Sequence, residues 1–340
     1  MSAISISMNS LWCFRLHRTA AAGAGLLLFL IGQAASMCRA GENEKFESGL
    51  WWIPGTGIHM RGLNDAEFQS NYLPGLDKTL TENKLLKGMY IALVWDYIEI
   101  EEGRYTWDRY DKIIEIARKH QTPYKLTLMP GLHTPKWVYE KGGAKFQAKA
   151  HGAANNPNYA NSQKAKTGWA PPEYDIPIPW DETFQKYFYR ITEAMKQRYG
   201  DDPLFVAVTI EIAHCQSGEW HLPKSDVDIR QWEKYPGYKE KIKQCWISAI
   251  DRFAGLFPRQ QLVLECTSTP LNDMEREADE ILEHGIAKYP GRFTIQTNSL
   301  TGQSDNTNAS WYQRILKYED RIHNGFQCLA GMQQKGAPWR

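Results

Sequence analysis

The chain has 340 residues, a formal net charge of +1, 42% hydrophobic residues and 23% charged residues. This is ordinary for a folded globular protein, and the length accommodates one α/β barrel of about 250 residues. No Lys/Arg run is present, so neither nucleic acid nor an anionic membrane surface is an expected partner.

Along the chain, the N-terminus has its own character. Arg15, His17 and Arg18 precede an apolar stretch from Ala20 to Ile31, followed by the small residues Ala34, Ala35, Ser36 and Ala40. That is the layout of a secretory leader, with an apolar core too short to span a bilayer comfortably. Residues 1–40 are therefore expected to be a signal peptide, cleaved between Ser36 and Ala40. The product is expected to be secreted or periplasmic, with no stable membrane insertion. The remaining 41–340 reads as one domain. Past the leader stand Cys215, Cys245, Cys266 and Cys328. No C-x-x-C pair occurs, so no metal site is expected and buried free thiols are favoured.

The first strand is expected somewhere in Trp51 to Leu63, and the first helix at Leu76 to Leu86. Met89 to Val94 is an apolar run of strand length. Asp108 can cap a helix whose Tyr110, Ile113, Ile114 and Ala117 recur at helical spacing. Tyr124 to Met129 is the third strand, so 87–129 holds one βαβ unit. From Leu132 to Trp180 the pattern breaks into a long Pro-, Gly- and Asn-rich insertion, read as a lid or cleft wall on the face where barrels place their sites. A clear helix follows at Asp181 to Tyr199. Strand four, Leu204 to Ala213, alternates so that Glu211 points inward. A polar loop, His214 to Pro223, leads to a helix around Tyr238 to Phe257. Strand five is Gln261 to Thr267 and a helix covers Asn272 to Lys288. Strand six is Arg292 to Asn298, a helix spans Thr307 to Ile322, and strand seven is Gly325 to Met332.

Alternating strands and helices indicate an α/β (β/α)8 TIM barrel. Only seven strands are legible. Either one near the N-terminus escapes detection, or the barrel is truncated after strand seven; the abrupt ending Gly336-Ala337-Pro338-Trp339-Arg340 favours truncation. There is no G-x-G-x-x-G and no phosphate loop, so no cofactor is expected.

The stretch Trp95-x-x-Ile98-Glu99-x-x-x-Gly103-Arg104-Tyr105-x-Trp107 resembles the segment after strand two in (β/α)8 glycoside hydrolases of the retaining clan, in their β-galactosidase-like and cellulase-like members. Ile100 stands where that pattern has Pro. Pro179-Trp180-Asp181 and Arg198-Tyr199-Gly200-Asp201-Asp202-Pro203 fit the same order. The resemblance implies hydrolysis of O-glycosidic bonds by two carboxyls about 5 to 5.5 Å apart. It implies an acid/base Glu after strand four and a nucleophile Glu after strand seven. Strand four offers Glu211 and Glu219, but as Glu211-Ile212-Ala213-His214 rather than an Asn-Glu pair. Strand seven reads Gly325-Phe326-Gln327, without a carboxylate.

The catalytic candidates are therefore Glu219, beside Trp220, Glu211, and Glu265 at the end of strand five. Trp95, His133, Trp137, Trp180, His214, Trp220, Gln296, Asn298 and Gln327 fall at strand ends or in βα loops. There aromatic faces meet sugar C–H groups and polar side chains take hydroxyls. A carbohydrate substrate is the expected partner. The rival reading is a non-catalytic carbohydrate-binding barrel, which the missing strand-seven carboxylate favours.

Overall fold

Seven strands run parallel around a barrel, and an eighth, antiparallel one fills the seam between the first and the last of them. The computed structural model describes residues 11–15, 49–54, 58–149, 173–214, 219–300 and 310–328. The barrel strands are β1 (Leu11–Arg15), β2 (Leu50–Trp52), β3 (Leu86–Val94), β4 (Tyr124–Met129), β7 (Phe205–Thr209), β8 (Gln261–Glu265), β9 (Phe293–Leu300) and β10 (His323–Cys328). Their order is β1-β10-β9-β8-β7-β4-β3-β2, closed on itself. A separate antiparallel hairpin joins β5 (Lys145–Lys149) and β6 (Glu173–Pro177).

The longer helices are α1 (Leu73–Glu82), α2 (Asp108–Lys119), α3 (Glu182–Tyr199), α4 (Tyr238–Leu256), α5 (Glu275–Lys288) and α6 (Ser310–Lys317). Parallel strands are covered on both faces, which is why β3, β4, β7 and β8 read as near-continuous apolar runs and are almost wholly buried. Helix α2 turns Tyr110, Ile113, Ile114 and Ala117 to the core. Asp181 caps α3 by accepting a hydrogen bond from the Phe184 amide. Asp108 is the first residue of α2 rather than its cap, and Trp107 precedes it without a side-chain cap.

The barrel layer and the helix layer bury different residues. One core cluster joins strands to helices. A second, smaller one contains only strand residues, among them Trp51, Tyr90, Ala92, Met129, Ala207 and Val263, and marks the barrel interior. Leu11–Arg15 lies in the stretch expected to be a leader and forms β1, pairing Trp12 with Trp51 on one side and with Gln327 on the other. Strand count and order agree with the sequence expectation of seven parallel strands.

The long insertion after β4 is not structureless in its described parts. It holds a 3-10 turn (Gly131–His133), a short helix (Lys136–Glu140) and the β5–β6 hairpin; residues 150–172 lie outside the described set. Phe146 of β5 stacks on Trp232 with ring centroids 3.9 Å apart, and the Lys149 amide donates to Asp228 at 3.1 Å. The hairpin is thereby fastened to the segment that follows β7.

Gly88 in β3 has no room for a side chain, because a Cβ there would meet three atoms of the Trp51 ring at 2.6 to 2.7 Å. Gly88→Ala is expected to destabilise the barrel by about 1–3 kcal/mol through overpacking. Urea unfolding reads this, and an unchanged midpoint would contradict the packing described.

Candidate functional site

The barrel interior carries a charge. Lys125 sits in the second position of β4, Tyr-Lys-Leu-Thr-Leu-Met, where strand alternation turns it inward. Its Nζ donates to Glu265 Oε1 at 2.7 Å and to Gln296 Oε1 at 3.1 Å, and lies 4.3 Å from the Tyr90 ring centre. Both side chains of the pair are 1% exposed. Thr209 donates to Glu265 Oε1 at 3.2 Å, and Asn298 Nδ2 to Oε2 at 2.9 Å. Asn298 also accepts from Gln296 Nε2 at 2.5 Å. Glu265 thus accepts from three donors, one of them cationic. Burial pushes Lys125 down to about 8, against the pull of Glu265.

Glu211 has the opposite surroundings. Two residues past the end of β7, it is fully buried, and neither carboxyl oxygen has a hydrogen-bond partner among the described residues. Its nearest charged-type neighbour is His214, with Nε2 3.6 Å from Oε2. Burial raises its pKa well above the ordinary value, and the negative charges of Glu265 and Glu219 add to that while Lys125 opposes. The three glutamates singled out in the sequence converge on this region: Tyr90, beneath them, feels the charge of all three. Glu219 is less enclosed than Glu211, and its carboxylate faces His221 Nδ1 at 2.9 Å.

Above Glu211 two imidazoles close the mouth. His214 is fully buried and His133 is 3% exposed. Burial drives both down to about 3, so both are neutral at physiological pH. Gly131 makes their approach possible: its φ is +67°, and a Cβ there would stand 2.1 Å from the His214 carbonyl oxygen. Arg61, from the short helix Ile58–Arg61, reaches Asp96 Oδ1 and His133 Nδ1, both at 3.2 Å.

The tryptophans are placed less uniformly than their positions in the chain imply. Trp95 is fully buried and packs against Trp137, Phe184 and Phe188, and its indole N–H donates to Glu99 Oε2 at 2.8 Å. It begins a helical turn (Trp95–Ile98), so its direction follows that turn and not the strand pleat. Trp137 donates to the Glu99 carbonyl and packs on Tyr187. Both indoles are thus tied to Glu99 and to α3 or its neighbours. Trp220 is 1% exposed and lies against Trp246 of α4. Trp180 is partly exposed at the head of α3, beside Trp232 and Tyr235. Gln296 and Asn298 point into the interior network. Gln327 lies in β10, and its side chain is outside the described set.

Lys125, Arg61, Asp96 and His221 complete the constellation and were not singled out in the sequence. Lys125 had a legible signal, a lone cation inside an apolar strand. The other three are ordinary loop or short-helix residues that only folding brings together. A cavity of about 220 Å³, walled by Trp52, Pro54, Leu63, Glu67, Asn71, Tyr72 and Leu76, lies between β2 and α1, and none of Glu211, Glu219 and Glu265 lines it. Among the described residues no three His, Cys, Asp or Glu side chains group around a possible metal ion, and no helix is long and apolar enough to cross a membrane.

Residues 86–254 match the β-galactosidase family of glycoside hydrolases, family 42. No curated protein matches the chain. Among solved structures, β-galactosidase from the psychrophilic Marinomonas ef1 is similar at 10% identity and a TM-score of 0.41, over 74% of this chain and 40% of that one. The catalytic domain of β-amylase from Paenibacillus polymyxa aligns at 10% identity and a TM-score of 0.46, over 74% and 77%. An intracellular xylanase from Thermoanaerobacterium saccharolyticum aligns at 14% identity and a TM-score of 0.42, over 80% and 70%. The chain thus spans about two fifths of the Marinomonas enzyme's length.

Two substitutions test the electrostatics. Lys125→Met strands Glu265 without its cation and is expected to cost about 3–5 kcal/mol, most of it recovered in Lys125→Met/Glu265→Gln. Chemical unfolding of the two variants reads this, and equal losses would contradict the pairing. Glu211 titrates in the other sense. Its folded pKa lies above the unfolded value, so the folded form holds a proton that the unfolded chain releases above about pH 4.5, and stability contributed by the neutral form is lost as pH rises. Glu211→Gln is free of this loss, so its stability relative to the parent should rise with pH by up to about 1.4 kcal/mol per pH unit. A difference that stays constant between pH 5 and pH 8 would refute a neutral Glu211.

Proposed function

From the glycoside hydrolase-like sequence of residues 86–254 and the charges at the mouth of the barrel, we propose that this protein cleaves O-glycosidic bonds of an oligo- or polysaccharide, with Glu211 as proton donor and Glu265 as the ionised partner. The observation that carries this reading is the contrast between two neighbouring carboxyls. One is buried without a partner and held neutral. The other accepts from Lys125, Thr209 and Asn298. Glycoside cleavage uses two carboxyls in different surroundings: a neutral acid to protonate the leaving oxygen, and a second carboxylate to meet the developing positive charge at the anomeric carbon. Glu219 with His221 stands nearer to solvent and contributes to substrate binding in this scheme.

One observation favours a second reading. The Glu265 carboxylate is already engaged by Lys125 at 2.7 Å in a fully buried pair, an arrangement that also suits a polar core. With no carboxylate in Gly325-Phe326-Gln327, the chain would then be a carbohydrate-binding barrel without turnover.

Export belongs to the same proposal. Cleavage between Ser36 and Ala40 would remove Leu11–Arg15 from the seam, so N-terminal sequencing of the mature protein reads both features together.

A panel of aryl β-glycosides with graded leaving groups separates the readings. Glu265→Gln is expected to lower kcat by at least about 10³-fold for every substrate. Glu211→Gln should lower it by about 10²–10⁴-fold for poor leaving groups and much less for nitrophenolates that need no protonation. Saccharide binding with no turnover in the parent protein would sink the enzymatic reading and leave the second.

A further inference from the structure

Arg61 touches two partners with one nitrogen, and the chemistry of that contact fixes a proton elsewhere. A guanidinium only donates. Its Nη1 lies 3.2 Å from His133 Nδ1, so Nδ1 must offer its lone pair, and the single proton of a neutral imidazole must then sit on Nε2. The competing arrangement would have Nδ1–H donating to Asp96, but that oxygen is 3.8 Å away, beyond a hydrogen bond. Asp96 instead pairs with Arg61 at 3.2 Å and holds the guanidinium in place.

His133 Nε2 is buried and has no hydrogen-bond partner among the described residues. The ring stands in the 3-10 turn that ends β4, on the same side as His214 and Glu211. A buried N–H without an acceptor is costly, and such a group calls for a specific explanation, such as an acceptor supplied by a ligand.

We propose that Arg61, anchored by Asp96, is a positioning residue that locks His133 in the Nε2–H tautomer, making this N–H a fixed hydrogen-bond donor at the mouth of the barrel. The identity of the acceptor, an oxygen of a bound saccharide, rests on the functional reading above; the lock itself does not. Because the imidazole stays neutral, it offers one donor and no positive charge. That suits an uncharged sugar hydroxyl or ring oxygen, with the carboxyls left as the charged and acidic groups of the site. Arg61 itself stays outside the reaction: its effect passes through the ring of His133.

The tautomer is read directly from long-range ¹H–¹⁵N correlations of the imidazole nitrogens in ¹⁵N-labelled full-length protein at neutral pH, with His133 identified by the signals that disappear in His133→Gln. The parent protein should show His133 as a single neutral form protonated at Nε2. Arg61→Met should lose that signature and show a mixture with the Nδ1–H form. Arg61→Lys keeps a donor and should restore the single form. A proton on Nδ1 in the parent protein overturns the proposal, as does an Arg61→Met spectrum identical to the parent's. If Arg61→Met does not fold, the parent spectrum decides alone. None of these readouts needs turnover, so a protein that hydrolyses no glycoside can still confirm or refute the lock.

Discussion

The buried pair of Lys125 and Glu265 is the constraint around which the interior of this barrel is arranged. Two charges taken from water are tolerated only with close geometry and further hydrogen bonds, and here Thr209, Gln296, Asn298 and the Tyr90 ring supply them. These groups come from β3, β7 and β9 in addition to the pair's own strands, β4 and β8. The pair therefore ties five adjacent strands together from inside, across 140 residues of sequence. It also uses up the positive charge available to the carboxyls around it. Glu211, close by, has its pKa raised first by its own burial and then by the charge of Glu265, with Lys125 opposing.

A second buried carboxylate does a different job. Glu99 receives the Trp95 indole N–H, the Gly103 amide and Arg190 of α3. Like Glu265 it accepts three donors, but it faces the helix layer. The acidic turn after β3 is thus the hinge between the barrel and α3, with Trp95 and Trp137 packed around it. Each ring pair of this kind adds about 0.5–1.5 kcal/mol beyond its buried area. The motif that carries the family resemblance is accordingly a scaffold, and the Lys125–Glu265 network stands on the other side of the strands.

How much of this was legible in the sequence depends on the range of the interaction. Strands β3, β4, β7, β8 and β9 declare themselves, because a parallel strand covered on both faces is an apolar run. Helices α2, α3 and α4 declare themselves by their 3.6-residue period. Strand β2 is three residues long and lies next to a Gly- and Pro-containing turn, so its bounds did not show. Strand alternation correctly turned Glu211 inward. Trp95 is legible only from its place at a strand end; the chain enters a helical turn there, and the indole turns to Glu99 and Trp137. The partnerships that decide protonation were invisible. Arg61 and His133 are 72 residues apart, and no local rule connects them. That an Arg would lie against an imidazole nitrogen, and not against a carboxylate alone, follows only from three strand ends meeting.

The position of the seam matters to the site. Closing seven parallel strands leaves two edges, those of β2 and β10, and an open edge is a row of unpaired amides and carbonyls. An antiparallel strand can satisfy both at once, and β1 does so. In the order of the sheet, β3, β4, β7, β8 and β9 stand together, while β10, β1 and β2 form the opposite side. Every carboxyl, imidazole and amide of the interior network comes from the contiguous arc or the loops that follow it; only Arg61 arrives from the β2 side. Gly325-Phe326-Gln327 of β10 carries no carboxylate, so in the proposed scheme the second carboxyl comes from the contiguous arc, as Glu265 on β8 paired with Lys125.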